Sequence, residues 1–148
     1  MREIKTLALE AMRAKGTADA AELRGRAAGL DGTALIAEEI RIPAFDRSKD
    51  YSGWPAGAPV SDGGQVWTLL QPHNAAHYSG RPAELRALWG LAHTRDPERA
   101  RAFVAPLGAS GLYMAGECCV FEGRVFRCLT DNTAYSPAEH AQSWEEVD

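Results

Sequence analysis

The sequence predicts an α+β protein, in which a segment of short N-terminal helices precedes two small antiparallel β-modules, each a hairpin or a three-stranded sheet. In the first forty residues, apolar side chains recur at spacings of three and four, as on one helical face. After Pro43, alternation of period two appears and Gly, Pro, Trp and Tyr become frequent, which is typical of strands and turns. One stretch of the sequence also occurs in two similar copies. We predict a helical segment over 1–42, a first module over 43–93, a connector over 94–111 and a second module over 112–148.

The first helix is predicted to end at Gly16. Its apolar stripe consists of Ile4, Leu7, Ala8, Ala11 and Met12. These spacings place the five side chains on one helical face.

Two further helices are predicted before the first module. Thr17 suits an N-cap, and the alanine-rich run after it predicts a helix that ends near Gly29. Asp31 suits the N-cap of a third helix, which must stop before Pro43 because a residue preceding proline avoids the α region. Such short helices bury too little surface to be stable alone. We therefore expect them to pack on the rest of the chain or on other copies, with homo-oligomerisation through this segment.

The internal repeat pairs "WPAGAPVSDGGQVWTLLQ" (residues 54–71) with "YMAGECCVFEGRVFRCLT" (residues 113–130). Each copy has an aromatic residue, a glycine three positions later, an apolar residue, a turn glycine and a Val-aromatic pair. The copies close on Trp89 and Trp144, so the offset is 59 residues through the hairpin and 55 at the tryptophan. A length difference of this kind belongs in a loop, which supports duplication of a real unit. Between the copies, Asp96 and Pro97 predict the start of a short helix.

The three cysteines fall within the second copy. Cys118, Cys119 and Cys128 match neither a CxxC pair nor the spacing of a zinc site, so we predict reduced, buried thiols. Alternation places Cys119 and Cys128 on the core side of the hairpin, where the first copy has Val60 and Leu69. Cys118 is predicted to face the other side and to be the main site of reaction with a thiol reagent.

Both copies resemble the carbohydrate-binding modules of families 5 and 12, the chitin-binding type 3 domains, in their pattern of aromatic, Gly, Val, turn and closing Trp. The first copy, "GAPVSDGGQVWTLLQPH" with Leu88-Trp89, also resembles small tail-associated proteins of bacteriophages and prophages. The chitin-binding members carry a surface pair of aromatic residues just after the second strand. Here those positions are Gln71-Pro72 and Thr130-Asp131, which argues against chitin as the ligand.

The candidate ligand-binding residues lie mainly in "QPHNAAHYSG", residues 71–80, which we call the 71–80 loop. They are His73, Asn74, His77 and Tyr78, together with Tyr51 and Tyr135 as expected exposed aromatic residues. The alternative is a polar loop in which His73 has a structural role. His73 and His77, four residues apart, could bind a metal if they lay on a helix, but Pro72, Asn74 and Gly80 predict a loop, so no metal site is predicted. No cofactor is predicted either. The four tryptophans are predicted as core residues rather than sugar platforms.

Composition and charge exclude several functions. The net charge of −4 without a basic face argues against nucleic acid as a partner, and no apolar run approaches the ~18 residues of a membrane helix. The N-terminus has no signal-peptide pattern, so synthesis in the bacterial cytoplasm is expected. We find no nucleophile–base set or carboxylate pair, which predicts a protein that is not an enzyme.

The phage resemblance implies a structural, tail-associated protein located in the virion. Its partners would be other phage tail proteins and a cell-surface glycan, and its work would be virion assembly or attachment. One alternative is a bacterial accessory protein that binds chitin-like polysaccharide beside a hydrolase. Another is an assembly module whose two β-modules contact only protein.

Overall fold

The computed structural model describes the backbone of residues 2–148 and the side chains of residues 6–148. The described residues form an α+β structure, as predicted, with an N-terminal helix followed by two small sheets. The helices are α1 (Arg2–Arg26) and α2 (Gly32–Ala37). The first sheet contains, in spatial order, β1 (Pro59–Asp62), β2 (Gln65–Leu69) and β3 (Trp89–Leu91). The second contains β4 (Arg101–Ala102), β5 (Cys118–Phe121), β6 (Arg124–Cys128) and β7 (Trp144–Val147).

The predicted break at Gly16 is wrong, because α1 runs through it as one helix of 25 residues. A single glycine costs a helix only about 1 kcal/mol relative to alanine, and the flanking alanines are strong helix formers. An ion pair between Lys15 and Asp19, with 3.1 Å between Nζ and Oδ2, also spans the glycine. Thr17 therefore lies inside the helix instead of capping a new one. The side chain of Ile4, part of the predicted stripe, lies outside the described residues.

The predicted cap of the third helix is confirmed. The carboxylate of Asp31 accepts a hydrogen bond of 2.8 Å from the backbone N–H of Ala34. α2 is followed by a 3₁₀ turn, Glu39–Arg41, so the helical segment ends before Pro43 as expected. Arg26 at the end of α1 donates a hydrogen bond of 2.7 Å to the carboxylate of Glu38, which ties the two helices together.

The helices pack on the first sheet. One apolar cluster contains Leu23, Ala27, Leu35, Ile36, Ile42, Val66 and Ala92. Val66 belongs to β2, whose next residue, Trp67, packs in a separate cluster inside the first module. Because successive side chains of a strand point to opposite faces, both faces of the first sheet are covered.

The sequence predicts a turn at Asp62 to Gly64 in the first hairpin and at Glu122-Gly123 in the second. Both turns contain two residues in the structure. In the first, Asp62 pairs with Gln65 and leaves Gly63 and Gly64 in the turn. In the second, Glu122 and Gly123 occupy the turn, with φ of 51° and 76°. Two residues with positive φ make a type I′ turn, whose twist matches that of the flanking strands.

The two copies of the repeat have matching three-dimensional structures. In each copy, the structural match begins upstream of the residues that match in sequence. Trp89 on β3 pairs with Leu69, and Trp144 on β7 pairs with Cys128. Upstream, Phe45 stacks on Tyr51 at 6.0 Å between ring centroids, as Phe103 stacks on Tyr113 at 5.3 Å. The shared dipeptide Ala-Phe at 44–45 and 102–103 is the sequence signal of this match.

The structural counterpart of Tyr113 is Tyr51, although the sequence match aligns Tyr113 with Trp54. The hydroxyl of Tyr51 accepts a hydrogen bond from the N–H of Asp46, and that of Tyr113 accepts one from Val104. Both rings also meet the closing tryptophan edge-on, at centroid distances of 5.3 and 5.2 Å. Trp54 is therefore an additional aromatic residue, carried by three extra residues between Tyr51 and Gly57.

The segment 94–111, predicted as a connector, also supplies a strand. Its short helix is a 3₁₀ turn, Pro97–Arg99, capped by Asp96 as expected. β4 then pairs in parallel with β5, which gives the second sheet its fourth strand. The Gln65 side-chain amide donates a hydrogen bond of 2.9 Å to the carbonyl of Ala102, so this strand also contacts the first module.

The cysteines are buried and free, as predicted. Cys119 and Cys128 pack in the second core with Tyr113 and Trp144. Cys118 faces away from that core, but the chain at residues 94–95 covers it, and its N–H donates a hydrogen bond of 2.7 Å to the carbonyl of Thr94. The expectation that Cys118 is accessible to reagents is therefore contradicted by its burial.

Candidate functional site

The 71–80 loop follows β2 and contains a 3₁₀ turn, Ala75–His77. The side-chain oxygen of Asn74 accepts a hydrogen bond of 3.0 Å from the N–H of Ala76, so Asn74 caps this turn. His77 is exposed, and its Nε2 lies 3.5 Å from Nδ2 of Asn74. Asn74 thus shapes the loop, and His77 presents an imidazole to solvent.

His73 occupies a buried position against the first core. Its Nδ1 lies 2.8 Å from the carbonyl oxygen of Gln71, and its ring packs edge-on against Trp89 and Tyr78, at 5.5 and 5.3 Å between centroids. Since a carbonyl oxygen only accepts, Nδ1 is the donor in this contact, and within the described residues Nε2 has no hydrogen-bond partner. The contacts match the structural role that the sequence left open as the alternative.

The three candidate tyrosines differ in exposure. Tyr78 is 43% exposed and Tyr135 is 58% exposed, in agreement with the prediction. Tyr51 is fully buried in the first core, so the expectation of an exposed ring there is wrong. Its burial follows from its role as the leading aromatic residue of the repeat. Tyr135 lies in the second module, between β6 and β7, where its ring neighbours His140.

A cleft that the sequence did not reveal lies between α1 and the chain at residues 43–54; we call it the Trp54 cleft. It has a volume of about 620 Å³, and Arg13 and Arg24 on α1 line it together with Asp46, Lys49 and Trp54. Trp67, Trp89 and Trp144 are buried, as predicted for core residues. Trp54 instead is half-buried at the edge of the first core, and its ring borders the cleft.

Gly57 allows the turn that follows α1 to come close to the loop that carries Trp54. A Cβ at Gly57 would lie 3.0 Å from the Cα of Ala28, and the residue has a φ of 94°, which favours glycine. The 3₁₀ turn Ala27–Gly29, directly after α1, therefore lies against this loop.

Two cations lie over the Trp54 ring. The guanidinium carbon of Arg24 is 4.2 Å and the ammonium of Lys49 is 5.4 Å from its centroid, both within cation–π range. Partial burial lowers the pKa of Arg24, and among the described residues no carboxylate pairs with it. Arg24 is thus a partly desolvated charge whose neighbour is an aromatic ring.

Asp46 is the carboxylate of the cleft. Its Oδ1 accepts hydrogen bonds of 2.7 Å from the hydroxyl and 2.8 Å from the backbone N–H of Ser48. These bonds lower the pKa of Asp46, so it is ionised at neutral pH. Both bonds use Oδ1 and leave Oδ2 open.

The helix break predicted at Gly16 concealed this site. Arg13 and Arg24 are eleven residues apart, which is three helical turns, so they share one face only because α1 is continuous. The available sequence signals were the Trp-Pro pair at 54–55 in a polar loop and the nearby Lys49.

The chain matches no family model and no curated protein. In the part of the chain that the structure describes, no three His, Cys, Asp or Glu side chains converge as a metal-binding group. No helix among residues 2–148 is long and apolar enough to cross a membrane.

Proposed function

We propose that this chain is a non-enzymatic structural protein of a phage or prophage tail, and that its tandem modules, similar to carbohydrate-binding families 5 and 12, serve virion assembly or attachment to a cell-surface glycan. The observation that carries the proposal is the duplicated module. Both copies have the same stacked Phe-Tyr pair, type I′ hairpin and closing tryptophan. A repeated aromatic scaffold with different loops is typical of binding modules, in which loops carry specificity.

Each module presents one exposed tyrosine for glycan attachment, Tyr78 in the first and Tyr135 in the second. A sugar ring packs its C–H groups against an aromatic face, which requires such exposure. His77 and Asn74 lie beside Tyr78 and supply polar groups for hydroxyls. Chitin is less well supported, since Gln71-Pro72 and Thr130-Asp131 stand where chitin-binding relatives of this type carry aromatic residues.

The first half of α1 supports an assembly role. Leu7, Leu9 and Met12 are exposed large apolar side chains on a helix whose later residues, Leu23 and Ala27, are buried against the first sheet. Exposed apolar side chains clustered on one helix favour association. We propose homo-oligomerisation through these N-terminal helices and contact with other tail proteins. Tail-fibre and lysis genes beside its gene are expected.

A glycan array with the full chain tests attachment. We expect binding to at least one bacterial surface polysaccharide, and loss of binding in the double variant Tyr78→Ala, Tyr135→Ala. Leu107→Ala is the matched control, because Leu107 is also exposed but is not aromatic. If the intact protein binds no bacterial surface glycan, attachment is refuted and the pure assembly role remains. Binding confined to chitin would favour the alternative of an accessory protein beside a hydrolase.

Light scattering on the full chain tests assembly. The double variant Leu9→Glu, Met12→Glu places charges on the exposed part of α1, far from the buried Leu23. We expect a smaller oligomer than for the unmodified chain, while Leu107→Glu leaves the mass unchanged. An unchanged mass in the double variant would contradict association through α1.

A further inference from the structure

We propose that the Trp54 cleft binds a saccharide unit that carries an anionic group, either a carboxylate or a phosphate. This inference rests on the glycan attachment proposed above and deepens it, because it names the class of sugar and a binding position apart from Tyr78 and Tyr135. Three features of the cleft support it: its charge, its aromatic wall and its open carboxylate oxygen.

The charge of the cleft is opposite to that of the whole chain. Arg13, Arg24 and Lys49 line it against a single carboxylate, Asp46, whereas the chain carries a net charge of −4. Arg24 is partly desolvated, and no carboxylate among the described residues compensates it. An unpaired cation that has lost part of its hydration is stabilised by an incoming anion. The guanidinium fork also matches carboxylate and phosphate oxygens in a bidentate arrangement.

The aromatic wall favours a ring-bearing ligand over a bare ion. Trp54 is not part of the repeated core, because Tyr51 occupies the position in the first module that Tyr113 has in the second. Arg24 lies 4.2 Å from the Trp54 centroid, so an anion bound to its guanidinium is within reach of the indole. Lys49 is exposed and flexible, and its ammonium can move from the ring onto the anion, which uncovers aromatic surface for a sugar ring.

Asp46 also favours a sugar over a bare ion, because a sugar carries several hydroxyl groups. Its Oδ2 is open, because the hydrogen bonds from Ser48 both go to Oδ1. A carboxylate repels a simple anion but accepts hydrogen bonds from the several hydroxyl groups of a sugar ring. The cleft volume of about 620 Å³ lies within the range of about 300–1,000 Å³ typical of small-ligand sites.

The test is calorimetric titration of the full chain with trigalacturonic acid, mannose 6-phosphate, neutral galactotriose, chitotriose and inorganic phosphate. We expect one acidic saccharide to bind at least about tenfold more tightly than the neutral sugars and inorganic phosphate, and binding to weaken as salt is raised. Arg24→Gln should weaken binding at least about tenfold, because it removes a charge-assisted hydrogen bond, and Arg24→Lys should weaken it less. Arg124→Gln is the matched control, since it removes an equal charge from an exposed position on β6.

The outcomes separate this inference from attachment in general. Preference for trigalacturonic acid or for mannose 6-phosphate distinguishes a carboxylate from a phosphate source and supports the proposal in either case. Binding to neutral sugars alone overturns it and leaves glycan attachment standing, whereas no saccharide binding here or on the array overturns both. Equal affinity for inorganic phosphate, or acidic-sugar binding that Arg24→Gln leaves unchanged in a variant with a native circular dichroism spectrum, also overturns it.

Discussion

Replacing Tyr51 should destabilise the protein far more than replacing Trp54. The sequence repeat makes Trp54 the leading aromatic residue of the first core, whereas the structure gives that role to Tyr51. The variants Tyr51→Ala and Trp54→Ala therefore distinguish the two assignments by the free energy of unfolding.

The expected magnitudes follow from burial and contacts. Tyr51 is fully buried, and its ring meets Phe45 and Trp89 at 6.0 and 5.3 Å between centroids. Truncation of a large buried aromatic residue to alanine costs about 3–5 kcal/mol. Trp54 is half-buried at the rim of the same core, so Trp54→Ala should cost about 1–2 kcal/mol. Tyr51→Phe removes only the hydroxyl that accepts from the N–H of Asp46, and should cost about 1 kcal/mol.

The assay is urea unfolding followed by far-UV circular dichroism, because loss of a tryptophan alters the fluorescence signal. Tyr113→Phe is the matched control: its hydroxyl accepts from the N–H of Val104, and its loss should cost as much as Tyr51→Phe. If Trp54→Ala were as destabilising as Tyr51→Ala, Trp54 would be a core residue and the structural alignment of the repeats would be refuted.

Three further predictions concern the cysteines, a partly buried carboxylate and a helix cap. Cys118 and Cys119 should both react with a thiol reagent only on unfolding, since both are buried and burial raises the pKa of Cys119 to about 12; rapid labelling of the folded protein would contradict this. Burial raises the pKa of Glu117. Hydrogen bonds from His93 and from a backbone N–H, together with nearby positive charge, have the larger effect and lower the pKa below its ordinary 4.5. The melting temperature should therefore fall as pH drops below 4.5. Glu117→Gln should melt at a lower temperature at pH 7, and its melting temperature should depend less on pH in the acid range. An unchanged dependence on acid pH would refute this. Asp31→Ala should cost about 1 kcal/mol in urea unfolding, whereas Asp31→Asn, which also caps, should cost little; equal losses would count against the cap.

The features predicted correctly from sequence depend on neighbouring residues. The Glu122-Gly123 turn follows from the glycine at its second position. The Asp31 cap follows from the position of this carboxylate, three residues before the amide of Ala34 that it binds. The alternating pattern likewise identified Cys119 as a core residue. Each signal lies within one element, so the order of residues contains it.

Two of the wrong predictions, those for Cys118 and Tyr51, concern contacts between distant segments. Cys118 is covered by the chain at residues 94–95, more than twenty positions away, and no local pattern indicates that cover. Tyr51 and Trp54 are three residues apart, and both are aromatic, so only packing against Trp89 decides which enters the core.

The sequence by itself determined the class of the fold, the two hairpins and their closing tryptophans, because periodicity and turn chemistry act over a few residues. Tertiary structure alone decided that Trp54 lies outside the repeated core and that Arg24 lies over its ring. These outcomes depend on burial free energy, which sums over segments that are remote in sequence.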